Sequence, residues 1–219
     1  MQQIPEPVAL FLSGLPADMV AGANAAEIVD SLAFYESELI KWQKVQNLVS
    51  RETLAEIWSR HFLDCLQLIP MIPIESRRLL DLGSGGGFPA IPLAIALKNR
   101  DLTVHMVESN GRKGSFLRQI VRELGLQAEV HTMRAEMLKP AEIGPIDVFT
   151  ARAFASLSDI CGYVEPLWQQ KSVGLFQKGR GYSEEIEESL QKWRYTYSTV
   201  KSKTLKDAAI VQMYDLKSN

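Results

Sequence analysis

Apolar residues recur at helical spacing over the first third of the chain. Between Asn24 and Val45, the residues Ile28, Leu32, Tyr35, Leu39, Trp42 and Val45 fall on one face, which predicts an amphipathic helix. Asn24 followed three residues later by Glu27 has the form of a capping box at its start. Ser50 is placed to cap a second helix running to Ile69 and ended by Pro70 and Pro73, with Leu54, Ile57, Trp58, Cys65 and Leu68 as its buried stripe. His61 falls on that stripe, so it reads as a hydrogen-bonded, half-buried histidine rather than a catalyst. Ahead of these helices, the patch Val8 to Leu12 with Gly14, Pro16 and Gly22 reads as a loose arm or short helix. Residues 1–75 are thus expected to form a helical extension.

From Arg78 the period changes. Short apolar runs at Arg78–Leu82, Thr103–Val107, Ala128–Thr132, Ile146–Ala151 and Ser172–Gln177 predict strands. Between them lie helices predicted at Ala90–Lys98, Arg112–Leu124 (stopped by Gly125), Leu157–Leu167 and Ser183–Trp193, with Ser156 and Ser183 as N-caps. Strands separated by helices require crossovers, hence a mainly parallel sheet covered on both faces. No helix separates Tyr195–Val200 from Ala208–Tyr214, so these close the sheet as an antiparallel edge pair. The expectation for residues 76–219 is an α/β, Rossmann-like domain with seven strands.

Composition narrows the setting. The 219 residues are 46% apolar and 23% charged, ordinary for a globular protein with a substantial core. A net charge of −2 gives no overall attraction to nucleic acid, so any such contact needs a local basic face. Candidates are Arg112, Lys113, Arg118 and Arg122 on one helix, Lys201, Lys203 and Lys206 in the terminal hairpin, and Arg51 and Arg60 on the extension. Two widely separated cysteines, Cys65 and Cys161, support neither a disulfide framework nor a zinc site. The N-terminus lacks a basic signal start, and the longest apolar run, Phe88 to Leu97, is too short to span a bilayer. A cytoplasmic protein without a membrane partner is expected.

The chemistry centres on Leu79-Leu80-Asp81-Leu82-Gly83-Ser84-Gly85-Gly86-Gly87-Phe88-Pro89, a strand, a glycine turn and a helix start. Glycines such as Gly83, Gly85 and Gly87 let backbone approach a nucleotide-like ligand at the carboxyl end of a strand. Glu108, at the end of the second strand, is spaced to accept hydrogen bonds from ribose hydroxyls. A dinucleotide fingerprint expects glycine at position 88, where this chain has Phe88, and an apolar strand end where it has Asp81. A carboxylate repels a pyrophosphate but attracts the ammonium or sulfonium of S-adenosylmethionine, so a methyl donor is favoured over a nicotinamide. Neither cysteine is placed as a nucleophile, and Asp147 sits at the wrong end of its strand for a base. That leaves an acceptor already nucleophilic, such as a purine ring nitrogen, aligned by Arg152, Lys178 and Arg180. For these three the alternative is solvated loop charge.

Several segments together resemble the RsmG (GidB) family of 16S ribosomal RNA guanine-N7 methyltransferases. They are Lys41-Trp42-Gln43-Lys44-Val45-Gln46-Asn47-Leu48, Arg60-His61-Phe62-Leu63-Asp64, Asp81 to Pro92, Gly111-Arg112-Lys113 with Phe116-Leu117-Arg118, and Arg152 to Leu157. The resemblance implies a class I methyltransferase fold, S-adenosylmethionine as donor, and methylation at N7 of guanine 527 in standard small-subunit numbering. It implies donor contacts at Gly83, Phe88, Ala135, Glu136 and Arg152, and Glu108 matches the family's acidic position. The implied partner is 16S rRNA or the small ribosomal subunit, with another RNA position or a small molecule as the alternative acceptor. A monomer with no metal site is expected. Val49, Cys65, Ala90 and Ala151 stand where the family usually has Thr, Ser, Gly and Ser.

Overall fold

The computed structural model describes residues 6–219. Two helices, α1 (Glu6–Ser13) and α2 (Ala25–Gln43), open the chain. Asn24 caps α2 by accepting from the Ala26 N–H, and Ile28, Leu32, Tyr35 and Leu39 are buried as the periodicity predicts. The second predicted helix is continuous but irregular. Its first turn is 3-10 (Arg51–Glu56), a π-turn follows (Trp58–Phe62), then α3 (Leu63–Leu66) and a 3-10 turn at Ile69–Met71. Ser50 does not cap it; its hydroxyl bonds the Thr53 side chain instead.

Seven strands follow: β1 (Arg78–Leu82), β2 (Thr103–Val107), β3 (Ala128–His131), β4 (Val148–Arg152), β5 (Val173–Lys178), β6 (Trp193–Lys201) and β7 (Ala209–Ser218). They form one sheet in the order β3-β2-β1-β4-β5-β7-β6. The first five are parallel and β7 pairs antiparallel with both β5 and β6. The crossovers carry α4 (Ala90–Ala96), α5 (Gly111–Leu124), α6 (Pro140–Ile143), α7 (Leu157–Val164) and α8 (Tyr182–Leu190). Asn110 caps α5 at its start and Gly125 ends it in the left-handed conformation. Ser156 caps α7 as expected. Ser183 does not cap α8: the helix follows Gly181, at φ 87°, and ends at Leu190, so Trp193 belongs to β6 where it pairs with Ser218.

All seven residues of α4 are buried. A helix apolar on every side needs cover on every side, and the N-terminal helices supply it: α2 and α3 both pack on α4. The apolar run Phe88 to Leu97 is thus explained by the extension, whose side chains share one core with that face of the sheet. The opposite face is filled by α7 and α8 residues such as Leu157, Ile160, Cys161 and Ile186. Among the described residues no helix is long and apolar enough to cross a membrane.

Candidate active site

The carboxyl ends of β1, β2, β3 and β4 open into a cleft of about 560 Å³, within the range of small-molecule sites. Gly83, Gly85 and Phe88 line it after β1 and Glu108 after β2. Ala135 and Glu136 line it from the 3-10 turn after β3, and Arg152 from the end of β4. Each predicted position falls at a strand end because a parallel sheet brings those ends together, although β2 lies between β1 and β3 only through the crossover order.

Glu108 is buried and fixes the glycine turn. One carboxylate oxygen accepts from the Gly85 N–H at 2.8 Å and the other from the Asn110 N–H at 2.7 Å. Asp81 lies under the turn rather than in the cleft wall, fully buried. Its Oδ1 accepts from the Thr150 hydroxyl at 2.8 Å, while its Oδ2 has no partner. Burial pushes the carboxyl up to about 7, against the lowering effect of its hydroxyl partners. Such an orphaned oxygen, beneath a cradle of backbone, is suited to a cationic ligand above it. Gly87 also stays out of the cleft. At φ 100° its missing Cβ makes room for Ile91, Tyr35 and Leu117, so its role here is packing.

The extension builds the remaining wall. Leu48, Val49, Ser50 and His61 line the cleft, and the periodicity that puts His61 on the buried stripe gives no sign that this segment forms a wall. Gln43 holds this segment: its Oε1 accepts from Leu48 N–H and Val49 N–H at 2.8 and 3.1 Å, and its Nε2 donates to the Val49 carbonyl at 2.8 Å. Tyr35 donates its hydroxyl to the Gly86 carbonyl. His61 is buried as expected, with Nε2 at 2.8 Å from the Thr53 hydroxyl and its ring 4.9 Å from the ring of Phe88. Burial, then the charges of Arg152 and Arg60, bring it down to about 4.

Arg152 is not solvated loop charge. Its Nε donates to Asp64 at 3.1 Å, one terminal nitrogen donates to the Arg60 carbonyl at 3.2 Å, and the guanidinium stands 5.7 Å from the centre of the Phe88 ring. Asp64, 5% exposed, also accepts from Gln67, Gln177 and Thr204. Cys65 lies fully buried behind this pair, 4.0 Å from the guanidinium, on the stripe that the periodicity predicts to be buried.

Beyond Arg152 a second cavity of about 600 Å³ opens toward β5 and β7. Arg152, Ala153, Phe154 and Ala155 line both spaces. Ala153 sits at φ 50°, a left-handed conformation unfavourable for a side chain, at the junction of the two. Lys178 borders only the second cavity, and its ammonium is already committed, to the Ala155 carbonyl at 2.7 Å and to Glu185 at 2.6 Å. It therefore props the Arg152–Ala155 turn instead of reaching the cleft. Arg180 is exposed and pairs with Asp207 at 3.4 Å, outside both cavities. Ser202 and Leu205 of the terminal hairpin line the second cavity, with Lys201, Lys203 and Lys206 exposed around them.

The family model described as GidB, rRNA small subunit methyltransferase G, matches residues 28–212. A protein named ribosomal RNA small subunit methyltransferase G from Parvibaculum lavamentivorans is 45% identical over 76% of this chain and 74% of its own. The like-named protein of Methylorubrum populi is 42% identical over 87% of this chain and 90% of its own. In fold, the chain is similar to the cofactor-bound Rv0187 from MTB, with a TM-score of 0.60, 19% identity, and 97% and 98% of the two chains covered. It is also similar to a ribosomal protein L11 methylase from Lactobacillus delbrueckii subsp. bulgaricus, with a TM-score of 0.53, 13% identity, and 69% and 77% covered. The sheet order and these neighbours make the fold that of a class I methyltransferase, and the protein belongs to the rRNA small subunit methyltransferase G family.

Proposed function

We propose that this enzyme binds S-adenosylmethionine in the glycine-turn cleft and methylates N7 of a guanine in 16S rRNA, the base numbered 527 in the standard scheme. The donor set fits that cofactor. Glu108 faces the cleft with oxygens able to accept further hydrogen bonds from ribose hydroxyls, and the Ala135–Glu136 turn offers a seat for a flat base. Asp81 places negative charge under the turn, where it favours the cofactor's cationic end. When bound, S-adenosylmethionine supplies a methyl group activated by the positive sulfur.

The observation that carries the choice of acceptor is the state of the second cavity. Its carboxylates, Asp64 and Glu185, are held by Arg152 and Lys178, so neither is free to take a proton. Guanine N7 bears a lone pair and no proton, and needs none removed. The residues then act by position. Arg152, Ala153, Phe154 and Ala155 form the partition across which the acceptor nitrogen must meet the methyl group in line. The hairpin lysines 201, 203 and 206 border the acceptor side and supply a local basic face for phosphates. Mass mapping of small-subunit rRNA from a strain lacking the gene tests the proposal. Loss of one N7-methylguanine, restored by the gene, is expected; an unchanged guanine with a methyl lost elsewhere in RNA, or from a small molecule, replaces the acceptor.

A further inference from the structure

Three side chains that the cleft does not use converge at the outer edge of the sheet. β3 is the edge strand, and it pairs in parallel with β2 so that His105 lies opposite Glu129 and Val107 opposite His131. The two-residue period of a strand puts Glu129 and His131 on one face, and His105 joins them from β2. His105 Nδ1 is 3.1 Å from His131 Nε2 and 3.6 Å from Glu129 Oε2, and that oxygen is 4.0 Å from His131 Nε2. These are two of the chain's three histidines.

A proton can bridge the two rings, but the carboxylate stands too far from either nitrogen for a hydrogen bond. The spacing suits a larger bridge. The point equidistant from three atoms so separated lies about 2.1 Å from each, which is the bond length of zinc to imidazole nitrogen and carboxylate oxygen. His105 is 4% exposed, whereas the Glu129 side chain is 61% exposed, so the pocket has a rigid floor and an opening for a water ligand. Among the described residues this is the one grouping of three such donors within mutual reach.

We propose that His105, Glu129 and His131 form a binding site for a divalent transition-metal ion of the zinc class. Two imidazoles and one carboxylate leave one tetrahedral position to water. The ion clamps the four-residue edge strand β3 to β2. The clamp acts close to the cleft, because the His131 carbonyl accepts from the Glu108 N–H at 3.1 Å and the Ala135–Glu136 turn follows directly.

The test is titration of the untagged, chelator-treated full chain with zinc chloride against a chromophoric competitor, followed by zinc-edge X-ray absorption. One equivalent bound at micromolar affinity or tighter, with nitrogen and oxygen ligands and a raised thermal midpoint, is expected. His131→Asn should weaken binding at least 30-fold. Glu129→Gln, at an exposed position where folding is not at risk, should weaken it about tenfold. Absence of saturable binding, sulfur in the absorption spectrum, or unchanged affinity in Glu129→Gln overturns the proposal.

Discussion

Replacing Arg152 with alanine removes the tie between the N-terminal helices and the end of β4. The guanidinium pairs with Asp64, donates to the Arg60 carbonyl and faces the Phe88 ring, with its side chain 19% exposed. Breaking a buried pair by deleting one partner costs about 3–5 kcal/mol. Asp64 here keeps bonds from Gln67, Gln177 and Thr204, so the cost falls to about 2–3 kcal/mol. With a urea slope of about 2 kcal/mol per molar, the unfolding midpoint should drop by about 1–1.5 M. The four tryptophans report the transition by fluorescence. Methyl transfer should fall well beyond what the unfolded fraction explains when measured at zero urea. A cycle with Asp64→Asn isolates the pair, because the double variant should lose less than the two singles together. A midpoint within about 0.2 M of wild type would refute the account of Arg152 as a buried strut.

Other changes probe the cleft. Gly85→Val should abolish donor binding in calorimetry, because Gly85 is at φ 57° and a side chain there enters the cleft, where the nearest atom is the Gly83 carbonyl oxygen at 3.8 Å; retained affinity would move the donor elsewhere. Tyr35→Phe leaves the buried Gly86 carbonyl without its hydroxyl and should cost about 1–3 kcal/mol, together with weaker donor binding; equal affinity in both proteins would uncouple the helix from the turn. Asp81 is raised from 3.8 to about 7, so its contribution to stability is fully present below pH 3.8 and is lost as pH rises through about 7. That displacement corresponds to at most about 4 kcal/mol, and Asp81→Asn should therefore be relatively more stable at pH 8 than at pH 4; parallel pH profiles contradict this. The same carboxyl predicts that affinity for S-adenosylmethionine rises between pH 6 and 8, which calorimetry across that range would deny if flat.

The parts of the fold written in local pattern could be read from the sequence. The change of period at Arg78, Gly125 closing α5, and the run from Asp81 to Pro89 announce strands, crossovers and the cleft without reference to distant residues. The segment 51–71 could not be read so, since its 3-10 and π turns arise where Trp58, His61 and Phe62 pack against α2 and Phe88. Lys178 looked available because its place at a strand end is local information, while its engagement by Glu185 depends on how α8 folds back. Asp64 was visible within a segment of family resemblance, yet its work depends on Arg152, Gln177 and Thr204, which lie far along the chain. The position of Asp81 just before the glycines suggests a carboxylate facing the ligand, whereas strand alternation and the pairing with Thr150 place it beneath the turn.

On the proposed function, the cleft holds a methyl donor and the cavity beyond Arg152 holds a guanine. The decisive assay combines purified protein, labelled S-adenosylmethionine and small subunits from a strain lacking the gene. One methyl group per subunit, located at guanine N7 of 16S rRNA by mass mapping, is the predicted result. No incorporation, or a methyl on a different atom, contradicts it.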